Sequence, residues 1–106
     1  MSRKFLLCLA ACAGPLTSSA ATTIHVVDQS KLQFNLAELK IKQGDTVKFT
    51  NSDRLAHNIM VTDGSRVLNS GLQQPGQPFE APFTQKGTFP VTCGIHPKMR
   101  MTVVVE

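Results

Sequence analysis

Gly87-Thr88-Phe89-Pro90-Val91-Thr92-Cys93-Gly94-Ile95-His96-Pro97-Lys98-Met99-Arg100-Met101-Thr102-Val103-Val104-Val105 is the stretch from which the rest of the chain can be read. Side chains two apart share a face of a strand. Phe89, Val91 and Cys93 therefore form one same-face series, and Met99, Met101, Val103 and Val105 form another. Lys86-Gly87 turns the chain into the first. Working outward, Gly44-Asp45 turns into Thr46-Val47-Lys48-Phe49-Thr50, which alternates cleanly, and Asn51-Ser52-Asp53 reads as a loop. Ile59 and Val61 resume the alternation with His57 in their parity, and it stops at Asp63-Gly64. Upstream, Ile24 to Val27 is β-branched, while Leu32, Phe34 and Leu36, then Leu39 and Ile41, alternate with polar neighbours. Asn69 to Pro82 holds three Pro and two Gly and reads as an irregular connection with one edge strand. Short strands at this spacing predict an all-β Greek-key sandwich of about seven to eight strands. His57, Cys93 and Met99 each end a core-facing series, and antiparallel pairing brings all three to one pole.

The chain has 106 residues, enough for one domain, with no internal repeat or low-complexity linker. Apolar residues make up 42% and charged residues 17%, a balance that supports a core. Eleven Lys+Arg against seven Asp+Glu give a net charge of +4, too small and too scattered for a nucleic-acid binder. With no Trp or Tyr, the aromatic platforms of single-strand binders are missing as well.

The N-terminus reads as an address. Ser2-Arg3-Lys4 is a basic start, Phe5 to Ala13 an apolar run, and Gly14-Pro15 ends that run. Thr17-Ser18-Ser19-Ala20 offers small residues for cleavage, the three-part layout of a secretory signal peptide. The run is far short of the ~20 apolar residues of a membrane span. Residues 1–20 are thus expected to be removed, leaving a periplasmic domain at 21–106. Leu9-Ala10-Ala11-Cys12 also resembles a lipobox, which gives a minority reading as a lipoprotein anchored at Cys12. Cleavage removes Cys8 and Cys12, leaves nine basic and seven acidic residues, and keeps Cys93 alone. Exported compartments oxidise thiols, and small exported domains pair their cysteines. A single thiol there needs a protector or a use.

Cys93, His96 and Met99 put a thiol, an imidazole and a thioether within seven residues, and His57 adds a second imidazole. Two imidazoles, a thiolate and a weak thioether are the donor set of a mononuclear blue-copper site. Thiolate and thioether favour Cu(I), imidazole suits both oxidation states, and a constrained compromise lowers reorganisation on electron transfer. The competitors are weaker. A structural zinc site wants four Cys or His ligands, for which only His25 is left over. Haem attachment and thioredoxin chemistry both need a second cysteine nearby, and a Cys/His nucleophile pair inside a Pro-containing loop is poor geometry. With every metal position filled by protein, no enzyme is expected. Taken singly, the same residues read as a buried Cys, a core Met and a loop His; only their joint spacing argues otherwise. His25 reads as a strand-edge histidine, and Met60 and Met101 as packing residues.

The chain resembles the cupredoxins, the type 1 copper proteins of the plastocyanin and azurin family, over about Leu39 to Glu106. The resemblance rests on Gly44-Asp45-Thr46-Val47, Asn51 to Asp53 leading to His57-Asn58, Gly87-Thr88-Phe89, and the Val-rich last strand. The short C-x-x-H-P-x-M loop is that of the amicyanin branch. Carried over by position, the resemblance implies His57, Cys93 and His96 as strong equatorial ligands and Met99 as the weak axial one. It also implies that the Asn58 backbone N–H donates to the copper-bound sulfur. Ala56 and Thr92 depart from the family pattern beside the ligands, Arg100-Met101-Thr102 replaces a Gly-containing turn, and Thr22 to Leu36 matches only loosely. The implied function is one-electron carriage by a monomer between exported redox proteins, such as a c-type cytochrome or a dehydrogenase, with His96 between Ile95 and Pro97 as the port. The alternative is a periplasmic copper-binding or delivery protein built on the same ligands. Lys98, Arg100 and Arg54 make a weak basic rim suited to steering an acidic partner, set against the plainer reading of solvated charges.

Overall fold

The computed structural model describes residues 22–63 and 66–106, and the signal-peptide reading of residues 1–20 lies outside them. Among the described residues nine strands run in order: β1 Ile24–Ser30, β2 Gln33–Phe34, β3 Glu38–Ile41, β4 Thr46–Asn51, β5 Ile59–Asp63, β6 Arg66–Asn69, β7 Phe79–Pro82, β8 Gly87–Cys93 and β9 Arg100–Val105. There is no helix among the described residues. The strands form two sheets, in the orders β2-β1-β4-β7 and β3-β9-β8-β5-β6.

The alternation in sequence is the alternation in burial. Val47, Phe49 and Asn51 of β4 point inward, as do Phe89, Val91 and Cys93 of β8 and Met101, Val103 and Val105 of β9. The two inner faces meet in one core, with Phe34 edge-on to Phe49 at 6.2 Å and Phe83 against Phe89 at 5.6 Å. Pro90 has no N–H to give, yet it lies in an inner strand. It falls just past the Val61–Val91 pair at which the β5 ladder ends.

The expected sandwich is there, with nine strands among the described residues against the expected seven to eight; β2 is only two residues long, and β6 pairs with β5 just beyond the expected stop at Asp63-Gly64. The sheets are mixed: β1 runs parallel to β4 and β3 parallel to β9. One expectation is corrected. Of the trio Leu32, Phe34 and Leu36, only Phe34 is buried, because the chain there is a tight turn and a two-residue strand. The pairs that matter for the site are antiparallel, with Ile59 opposite Cys93 and Val91 opposite Met101. They carry the ends of β8, β9 and β5 to one pole. The site end is also where β1 and β4 finish.

Candidate metal centre

Each candidate donor is placed by a different piece of backbone. Cys93 is the last residue of β8 and is buried. The loop after it is closed by Cys93 N–H donating to the Met99 carbonyl at 3.3 Å and Met99 N–H donating to the His96 carbonyl at 2.9 Å. His57 is fully buried and held by a two-way backbone bridge to Gln73, at 3.0 and 2.7 Å. His96 is half-buried between exposed Ile95 and Pro97, and Met99 is buried at the far end of the same loop.

The three nitrogen and sulfur donors face one another. His57 Nδ1 lies 3.2 Å from His96 Nδ1, and Cys93 Sγ lies 3.7 Å from the first and 3.6 Å from the second. A triangle with those sides has its centre about 2.0 Å from each corner. That is close to the ~2.0–2.1 Å of a metal–imidazole bond and somewhat inside the ~2.3 Å of a zinc–thiolate. Three lone-pair donors turned inward at this distance need a cation, or protons, between them. His57, Cys93 and His96 form such a cluster among the described residues, and no carboxylate joins it as a fourth ligand. Burial of Cys93 weighs against the nucleophile reading.

His57 has a fixed tautomer. Its Nε2 lies 2.8 Å from Asp53 Oδ2, so that nitrogen donates its hydrogen to the carboxylate and Nδ1 keeps its lone pair for the centre. Asp53 also accepts from Lys31 N–H at 2.7 Å and Leu32 N–H at 3.0 Å. Burial pushes against ionisation of Asp53, but these donors outweigh it and hold the carboxyl below its usual range. Asn58 N–H points at Cys93 Sγ at 3.3 Å. The Asn58 carbonyl takes Gly94 N–H at 2.8 Å.

Sequence reasoning missed three supports of His57: Asp53, Gln73 and Asn51. Gln73 is buried; its Nε2 donates to the Phe49 and Gln77 carbonyls at 2.9 and 2.6 Å, and its Oε1 accepts from Gln29 at 2.8 Å. Asn51 Nδ2 donates to the Leu55 and Gln73 carbonyls, which ties down the loop before His57. Nothing in the alternation marks Gln73. The acid four residues before a candidate ligand was the available signal for Asp53. His25 sits at the opposite end of β1, 2.9 Å from Asp45, and takes no part in the centre.

A mixed two-sheet sandwich with a Cys/His/His cluster at one pole, two of its residues buried and the third half-buried, defines a cupredoxin-type copper site, and the sequence comparisons agree. The chain belongs to the copper-binding plastocyanin/azurin family, whose profile matches residues 21–106, and copper is the ion its site takes. Among individual proteins it is similar to amicyanin of Paracoccus denitrificans, at 36% identity over 76% of this chain and 64% of that one. It is also similar to amicyanin-alpha of Methylorubrum extorquens, at 32% over 73% and 67%, and to the methylamine utilization protein MauL of Methylophilus methylotrophus, at 35% over 93% and 60%. It thus spans roughly two thirds of the length of these relatives. A solved copper(I) form of an amicyanin variant superposes with a TM-score of 0.73 at 34% identity, covering 77% of this chain and 81% of that one. A reduced amicyanin variant gives 0.74 at 34%, covering 82% and 86%. No helix among the described residues is long and apolar enough to cross a membrane.

Proposed function

We propose that this chain is an exported one-electron carrier, in which His57, Cys93 and His96 would hold a copper ion and Met99 would add a weaker thioether donor. The observation that carries the reading is the inward-facing triangle of two Nδ1 atoms and one Sγ. Copper bound there would supply a one-electron couple between its +1 and +2 states. The protein's part is to hold the donors still. Asp53 keeps the His57 ring from turning, the Asn58 N–H directs and partly neutralises the sulfur, and the backbone bonds of the 93–99 loop fix the spacing of three donors. A frame that does not relax between oxidation states keeps the reorganisation on transfer small. His57, Cys93 and Met99 are buried while His96 is half-exposed, which favours electron passage through the His96 edge.

Residues 1–20 would direct export to the periplasm, where a metal-held thiolate is sheltered from stray oxidation. The carrier would act as a monomer, meeting a c-type cytochrome or a dehydrogenase through a small, transient contact. Burial of three of the four proposed ligands speaks for a retained metal rather than for copper delivery. Copper-loaded, oxidised protein should show an intense visible thiolate-to-copper band and a narrow copper hyperfine splitting in electron paramagnetic resonance. Cys93→Ala should be colourless; Met99→Gln should keep its copper with a lowered potential. A colourless loaded wild type, or a blue C93A variant, overturns the assignment.

A further inference from the structure

β1 and β2 are joined by two residues only, because Ser30 pairs with Gln33. Those residues, Lys31 and Leu32, have φ values of 54° and 59°. This is the hairpin turn with both central residues left-handed, a place that suits Asn-Gly and suits neither Lys nor Leu. Strain of this kind persists only where the surroundings hold it. Here Asp53 holds it, accepting both turn N–H groups with the same carboxylate that fixes His57.

The turn forms one side of an open groove of about 540 Å³. Lys31, Leu32 and Gln33 line one wall, and Ile95 to Met99 line the other, with His96 among them. Leu32 and Ile95 stand out to solvent, as do Leu55 and Leu72 on the segments flanking His57. The charge at this pole is predominantly basic. Lys31, Arg54, Lys98 and Arg100 are all exposed, against Asp53, engaged by three donors, and Asp28 near the end of β1, which accepts from Thr50 and Ser52. The rest of residues 21–106 holds five basic and five acidic residues.

We propose that the strained Lys31–Leu32 turn is a built wall of the docking face, and that this face receives a redox protein whose apolar port is ringed by carboxylates. The inference deepens the carrier reading and rests on it. Leu32 and Ile95 supply the apolar contact beside His96, and Lys31 and Lys98, one on each wall, set the sign of the partner. Opposite charge steers the encounter and sets the salt dependence, while the apolar centre makes the contact.

The copper-loaded, reduced protein would be oxidised by two probes of opposite charge, hexacyanoferrate(III) and tris(phenanthroline)cobalt(III), across a range of ionic strength. The wild type should react with the anion more slowly as salt rises and with the cation more quickly. The K31E/K98E variant should lose about tenfold in its rate with the anion at low salt and reverse both slopes. A Lys31→Asn, Leu32→Gly variant should raise the denaturation midpoint of the metal-free chain by relieving the turn. It should also slow transfer to a c-type cytochrome with an acidic haem edge, relative to one with a basic edge. A blue, redox-active protein whose rates ignore probe charge overturns this inference alone. So does an Asn-Gly turn that leaves cytochrome transfer unchanged, or one that fails to stabilise the chain. A loaded protein with no charge-transfer band overturns the carrier reading and this inference with it.

Discussion

Gly94 follows Cys93 directly, and replacing it by Ala tests how tightly the loop is packed onto the His57 segment. A Cβ on Gly94 would lie 2.2 Å from Asn58 Oδ1 and 2.9 Å from Met60 Sδ. Met60 is half-buried and flexible, so its thioether can swing aside at little cost. Asn58 is not free to do so. Its Nδ2 donates to Asn69 Oδ1 at 2.7 Å and to the Gly71 carbonyl at 3.0 Å, and its backbone holds Gly94 N–H and faces Cys93 Sγ. Moving the amide away breaks two neutral hydrogen bonds, worth about 0.5–1.5 kcal/mol each. Leaving it in place overpacks the contact, at roughly 1–3 kcal/mol. Either route predicts that Gly94→Ala destabilises the metal-free chain by about 1–3 kcal/mol. For a domain of this size each kcal/mol corresponds to a fall in Tm of roughly 4–8 °C. Urea denaturation followed by far-ultraviolet circular dichroism measures the loss. The visible band of the loaded variant reports whether the backbone has carried the sulfur away from the Asn58 N–H. A double-mutant cycle with Asn58→Ala identifies the clash, because G94A should then cost at least about 1 kcal/mol less. If G94A costs under about 0.5 kcal/mol, or costs the same with and without the Asn58 amide, the steric reasoning is refuted.

Three further outcomes are expected. Gln73→Met keeps the length of the side chain but leaves the Phe49 and Gln77 carbonyls and the Gln29 amide short of a partner, so it should cost about 2–4 kcal/mol in urea melts. Q73A should cost more through the added cavity, and a variant within about 0.5 kcal/mol of wild type would remove Gln73 from the support of His57. Asp45 has its carboxyl held below the usual range, first by His25 and then by the Lys42 and Thr23 N–H groups. A lowered folded-state value means stability that is present above the unfolded value near 3.8 and lost as pH falls through the folded one. Asp45→Asn should therefore be less stable at pH 6 and show a flatter decline between pH 4 and 2; melts in which both proteins decline alike would contradict this. Finally, adding copper to the metal-free chain should raise its Tm in a concentration-dependent way, and this rise should vanish in Cys93→Ala.

Parity is local, and it was enough to place His57, Ile59 and Val61, or Phe89, Val91 and Cys93, on buried faces without any knowledge of their neighbours. It failed at Leu32 and Leu36 for the same local reason. An apolar residue at the right spacing is buried only if a strand continues through it, and there the strand is two residues long. It missed β6 because a four-residue strand leaves little pattern to read. Asp53 was read in the sequence only as part of a loop, although its place four residues before His57 was a signal. Its role depends on two turn N–H groups more than twenty positions upstream.

From the sequence by itself came the candidate donors His57, Cys93, His96 and Met99, the buried faces that carry three of them, the sandwich class and, by resemblance of motifs, the family. Candidate donors and buried faces are matters of residue chemistry and period-two spacing, which act over a few residues. Only the tertiary structure decided that both imidazoles present Nδ1, that Asp53 and Gln73 hold His57 in place, and that the Lys31–Leu32 turn stands beside His96. Asp53 lies only four positions from His57, but it is held by turn N–H groups 21 and 22 positions upstream. The other contacts join segments 16 to 65 positions apart, brought together by strand pairing and the crossing of two sheets. A chain pattern carries the periodicity of its own strands but not the identity of the neighbour across the core.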